Sequence, residues 1–118
     1  MIFIGKTSPG TSSFDELHAL DYLAYAFLQQ GRDAKAKEVL ERARAATKFD
    51  NANFAAAYAL AAVPARYALE RGRWSEAAAL EAGTPATMPW DKFPYAEAIT
   101  HHARAVGAAR TGDAARAR

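Results

Sequence analysis

Three glycines constrain this chain more than any other feature. Gly31, Gly72 and Gly112 lie 41 and 40 residues apart, and an alanine follows each by five positions: Ala36, Ala77 and Ala117. Before each glycine runs a long stretch of aromatic and small residues, and after it a charged, alanine-rich one. Glycine takes the left-handed C′ conformation without a Cβ penalty, so each reads as a helix stop. Repetition at this spacing predicts helical hairpins stacked as a solenoid, since a lone hairpin cannot bury its apolar face.

The first unit is the fullest. Ser13-Phe14-Asp15-Glu16 has the form of a capping box. Phe14, Leu17, Leu20, Leu23, Ala24, Phe27 and Leu28 then follow at three- and four-residue steps, one apolar stripe on a helix. Beyond Gly31, Asp33 is the expected cap of a second helix with Ala36, Val39, Leu40 and Ala43 inward. Asp50, Asn51 or Asn53 can cap a helix over 53–71, in which Pro64 predicts a kink or short break. A further helix is expected over 74–82, stopped by Gly83. Asp91 or Phe93 then caps a long helix with Pro94 in its first turn, running to Thr111.

Composition agrees with an all-α chain. About a quarter of the 118 residues are alanine, the best helix former, and β-branched residues are scarce. The domain is expected over 13–118, with units near 13–47, 53–83 and 93–118 and a flexible or edge-packed leader over 1–12. A net charge of +2, with mixed signs along the chain, is too mild for nucleic acid. The arginines at 104, 110, 116 and 118 are interrupted by Asp113 and lack interleaved aromatics, so they read as a solvated face. Cysteine is absent, which excludes disulfides and thiolate metal sites. No apolar run is long enough for a bilayer, and Met1–Ile4 is too short for a signal peptide, so a cytoplasmic protein with no membrane partner is expected.

Motifs for chemistry are sparse. Gly5-Lys6-Thr7 lacks the earlier glycine and the immediate helix of a phosphate-binding loop. No Gly-x-Ser-x-Gly elbow, His-Glu-x-x-His pair or dinucleotide fingerprint occurs. Glu97 and His101 share a helix face and could place two metal ligands together, but a zinc set needs a third, which would have to be His18 or Asp21 from the first unit. Trp74 reads as a wedge between helices and Trp90, amid prolines, as the staple of a long loop. The expectation is a non-enzyme without metal or cofactor.

The first unit resembles a tetratricopeptide repeat: Leu20, Leu23-Ala24 and Phe27 match the first-helix pattern, and Gly31-Arg32, Ala36, Leu40 and Ala43 match the turn and second helix. Gly72-Arg73-Trp74-Ser75-Glu76-Ala77 is similar to the same turn in the second unit. There Ala61 and Pro64, and in the third His101 and Arg104, depart from the pattern, and the period exceeds the usual one of about 34 residues. The chain looks like the C-terminal portion of bacterial proteins of this family, with further repeats ahead of it. The resemblance implies a right-handed α-solenoid of about two and a half units that binds a protein or peptide partner in a concave groove. By the glycine alignment that groove takes His18, Asp21, Tyr22, Tyr25 and Gln29 from the first unit. The second unit offers Ala59, Ala62, Arg66 and Glu70, and the third Ile99, His102, Val106 and Arg110. Arrays that clamp a C-terminal carboxylate use Lys and Asn where this chain has Asp21, Tyr22 and Tyr25, which argues against that ligand. Two alternatives stand beside the scaffold: a homo-oligomerisation segment, and a metal or small-molecule site around His18, Glu97, His101 and His102. A homodimer through Ile99, Ala103 and Val106, over 99–110, is expected from the open third unit.

Overall fold

The computed structural model describes residues 11–12, 14–49 and 51–118. The leader before Thr11, Ser13 of the capping box and Asp50 lie outside the described residues. In chain order the elements are β1 (Thr11–Ser12), α1 (Phe14–Gln29), α2 (Asp33–Arg44), β2 (Lys48–Phe49), α3 (Phe54–Glu70), α4 (Trp74–Ala78), a 3₁₀ turn (Trp90–Lys92), α5 (Pro94–Arg110) and α6 (Ala114–Ala117). The fold is mostly helical. Among the described residues, a two-residue parallel pairing departs from the all-α expectation, Thr11 with Lys48 and Ser12 with Phe49.

The three glycine turns repeat bond for bond. Gly31, Gly72 and Gly112 have φ of 70°, 65° and 85°. Arg32, Arg73 and Asp113 each donate their backbone N–H to the carbonyl five residues back (Phe27, Ala68 and Ala108), every time at 2.8 Å. The glycines donate to Leu28, Leu69 and Ala109 at 3.1, 3.1 and 3.2 Å. This is the paired closure of a Schellman turn, and it satisfies carbonyls that a helix end leaves open.

Helix α3 is the centre of the packing. It lies against α1, α2, α4 and α5, and ten of its seventeen residues are buried, mostly alanine with Leu60, Val63 and Tyr67. A helix that is apolar all round belongs inside a fold, and small side chains let neighbouring helices come close. Asn53 caps it, its side chain accepting from the Ala56 N–H at 2.9 Å. Pro64 does not break it; the helix runs unbroken from Phe54 to Glu70. Proline does remove the N–H that would reach the Leu60 carbonyl.

Helix α1 buries Leu17, Leu20, Ala24 and Leu28, while Leu23 and Phe27 are only partly buried. The stripe is therefore rotated slightly from the expected one. All four inward residues of α2 are buried as expected. Its cap is not Asp33: Arg32 holds the cap position without a side-chain bond, and Asp33 instead accepts from Arg71 Nε at 3.1 and 3.2 Å. Arg71 also donates through Nη2 to the Leu28 carbonyl at the end of α1. One arginine thus ties the end of α3 to the junction of α1 and α2. Glu16 is 1% exposed, and its carboxylate meets Arg42 of α2.

The largest difference from expectation is α4, five residues long rather than the nine of 74–82. Its end tightens into three-residue closures, Leu80 N–H to Ala77 carbonyl at 3.2 Å. Gly83 takes φ 74° in a separate turn. The chain then invests its apolar residues in the connector, burying Met88 and Trp90. Trp90 staples that connector, donating from Nε1 to the Pro85 carbonyl at 2.9 Å, and Thr87 Oγ1 donates to the Thr47 carbonyl at 2.6 Å. Helix α4 sits very close to α5: a Cβ on Gly107 would stand 2.5 Å from Ala78 N and Trp74 O.

Helix α5 begins as expected at Phe93 and Pro94. Its face, though, is not the open one anticipated from the sequence. Ala103 is fully buried and Ile99 is packed partly against the core, because α5 lies against both α3 and α4.

Candidate functional site

Two clefts flank α3. The first is an open cleft of about 470 Å³ between α1 and the face of α3 that carries Phe54, Tyr58 and Arg66. From α1 come His18, Asp21, Tyr22 and Tyr25, three- and four-residue steps that put all four on one helix face. From α3 come Phe54, Tyr58 and Arg66, again four and eight residues apart, with Ala55 beside them.

Arg66 is the organising side chain. Its Nε donates to Asp21 Oδ1 at 3.1 Å, its Nη2 to the Tyr58 hydroxyl at 3.5 Å, and its guanidinium lies over the Tyr25 ring at 5.4 Å. Asp21 is buried, so the pair is held at the base of the cleft with its charges matched. At the cleft mouth His18 meets Tyr22 edge-on, ring centroids 4.9 Å apart. Phe54 stands 6.1 Å from Tyr58. Tyr22 is 64% exposed, and Tyr25 and Phe54 are about half exposed at 48% each. Exposed rings in this number, gathered on one cleft, are unusual on a surface where large apolar groups normally scatter.

The sequence expectation is met in part. His18, Asp21, Tyr22, Tyr25 and Arg66 come together. Gln29 and Glu70 do not line the cleft; both are exposed at the ends of α1 and α3, a turn beyond Tyr25 and Arg66. Ala59 and Ala62 are buried in the packing of α3 instead of facing a groove. His102 and Arg110 also fall outside it, since α5 packs on α3 and α4 and contributes no lining residue. Arg110 instead covers the Trp74 ring at 5.2 Å. Phe54 and Tyr58 were missed because the glycine alignment points at Ala59 and Ala62. The signal available was their own spacing to Arg66.

The second cleft, about 680 Å³, lies on the other flank, between α2 and α4 over Leu60, Pro64 and Tyr67 of α3. Arg73 lines it with its guanidinium 4.8 Å over the Tyr67 ring. Nothing in the sequence pattern marks this cleft, because it exists only where α4 stops short.

As for metals, His101 and Glu97 pair at 3.6 Å on α5, while His18 stands in the first cleft. Among the described residues no three histidine, aspartate or glutamate side chains gather as a metal-holding group. Among the described residues, too, no helix is long and apolar enough to cross a membrane. Comparison with protein-family models, with curated proteins and with solved structures finds no match.

Proposed function

We propose that this chain is a helical-repeat scaffold, a tetratricopeptide-like right-handed solenoid, that binds a peptide or protein segment along the cleft between α1 and α3. What carries the reading is the cleft itself: the exposed rings of Tyr22, Tyr25 and Phe54 around a cation whose charge Asp21 already matches. Tyrosine offers large area with little rotamer entropy to lose, which is why it dominates recognition surfaces. With the Arg66–Asp21 pair satisfied internally, the ligand is an uncharged stretch with apolar side chains, read by ring faces and hydroxyls. The repeat reading is supported by the identical turns at Gly31, Gly72 and Gly112. It is also supported by the climb of contacts from Asp21–Arg66 to Leu28–Arg71, as between parallel neighbours.

The test is selection of a displayed random peptide library on the full chain, followed by affinity measurement on variants. Selected peptides are expected to lose about tenfold or more in affinity on Tyr25→Ala, the loss of a hot-spot ring, with little change in melting temperature. Peptides that bind Tyr25→Ala and the parent equally well would place recognition elsewhere and refute the proposal.

A further inference from the structure

We propose that the cavity between α2 and α4 is a second, separate binding site, for a monocarboxylate with an apolar body, its carboxylate held by Arg73. The cavity exists because α4 spans five residues where α2 spans twelve, so the outer flank of α3 lacks a full covering helix. Its floor is apolar: Leu40, Leu60 and Tyr67 are buried core residues, joined by Pro64. At about 680 Å³ it has the size of a small-molecule pocket.

The buried Thr100 hydroxyl group also lines the cavity, and the charged element is Arg73. Its Nε is buried without a hydrogen-bond partner. Its Nη2 is 4.0 Å from Asp33 Oδ2, beyond hydrogen-bond reach, and Asp33 is already taken by Arg71 at 3.1 Å. The guanidinium is therefore half-buried, fixed on a tyrosine ring, and makes no hydrogen bond among the described residues. A buried Nε–H without an acceptor is costly, and a carboxylate matches the fork geometry of a guanidinium.

Net charge limits the ligand to one negative charge. Lys37, Arg44 and Arg73 line the cavity against Glu76 and Glu81, three cations to two carboxylates. The other four are exposed on the rim, so Arg73 alone among these charges is drawn in toward the apolar floor. A doubly charged anion would face both glutamates; a neutral ligand would bring no charge to the guanidinium, whose Nε has no hydrogen-bond partner.

The experiment is calorimetric titration of the full chain with decanoate and with 1-decanol, which share the apolar body and differ in the head. Decanoate is expected to bind saturably and about tenfold tighter than decanol, the worth of one charge-assisted pair. Arg73→Gln should bring decanoate down to the decanol level and leave decanol unchanged. Ala79→Trp, on the exposed lip, should fill the entrance and abolish both, while Tyr25→Ala in the other cleft changes neither. Absence of saturable decanoate binding, equal affinity for the two heads, or full binding by Ala79→Trp would each overturn the proposal. All three are read with Arg73 intact and so hold whatever Arg73→Gln does.

Discussion

Arg66 and Arg73 are the same device used to two ends. Each lies over a tyrosine ring, 5.4 Å from that of Tyr25 and 4.8 Å from that of Tyr67. Each lines a cleft on one flank of α3. Arg66 closes its circuit on Asp21 and Tyr58; Arg73 has only a distant oxygen of an aspartate that Arg71 already holds. The difference comes from what the neighbouring helix supplies. Helix α1 brings a buried carboxylate opposite α3, whereas the flank above Arg73 is the one that short α4 leaves uncovered. A cation over an aromatic ring is thus a fixed wall when paired and an open donor when not.

The comparison breaks most violently at Gly107. A Cβ there would meet Ala78 N and Trp74 O at 2.5 Å and Ala77 Cβ at 2.8 Å. Backbone atoms of a packed helix cannot swing aside, so Gly107→Val must part α4 from α5. Overpacking of this kind costs about 3 kcal/mol or more, and a urea melt measures it. Hydrogen exchange should show protection lost first in α4 and α5 while α1 keeps its own, so that the Arg73 cleft dissolves before the Arg66 cleft. A loss under about 1 kcal/mol, outside that overpacking range, would mean the two helices can separate freely.

Why the first flank was legible in the sequence and the second was not follows from the range of the interactions. The Gly31, Gly72 and Gly112 turns are local: a positive φ needs glycine, and the closing bonds span six residues. The inward face of α2 and the cap at Asn53 are local as well. His18, Asp21, Tyr22 and Tyr25 share a face by helical spacing alone, so their convergence could be read from one helix. Phe54 and Tyr58 escaped because Ala59 and Ala62, which the repeat alignment favours, are needed inside α3's packing. The length of α4 was not legible, since Gly107, Met88 and Trp90, which fix its surroundings, stand ten to thirty residues away. The Glu16–Arg42 contact and the Arg71 tie are likewise side-chain meetings across helices, invisible to periodicity.

A middle-sized effect compares the two arginines directly. Asp21→Asn keeps the shape of the side chain but removes the carboxylate under Arg66. Because Asp21 is buried and Arg66 is about a third exposed at 31%, water can partly serve the freed guanidinium. The expected cost is about 1–2 kcal/mol, the lower part of the range for a broken charged bond. Arg73→Gln removes no hydrogen bond and should cost less than about 0.5 kcal/mol beyond its stacking on Tyr67. Paired chemical melts decide it. Equal losses would show that Arg73 is already paired in solution and that the contrast between the clefts is false.

The smallest expected effect sharpens what holds Arg66. Its two polar partners are unequal: Asp21 accepts from Nε at 3.1 Å with a full charge, and the Tyr58 hydroxyl accepts from Nη2 at 3.5 Å, the outer limit of a hydrogen bond. Tyr58→Phe deletes only that hydroxyl and leaves the ring against Phe54, so stability should fall by less than about 0.5 kcal/mol. The informative quantity is the coupling. In the Asp21→Asn background the guanidinium loses its anchor and leans more on the hydroxyl, so Tyr58→Phe should cost more there than in the parent chain. A double-mutant cycle that gives a non-zero coupling of that sign makes the three groups one network. Strict additivity would mean that Tyr58 stands by independently, and that Asp21 with the Tyr25 ring fixes Arg66 unaided. In that case the Tyr58 hydroxyl is free for a bound segment, and Tyr58→Phe should weaken peptide affinity while leaving the melting temperature where it was.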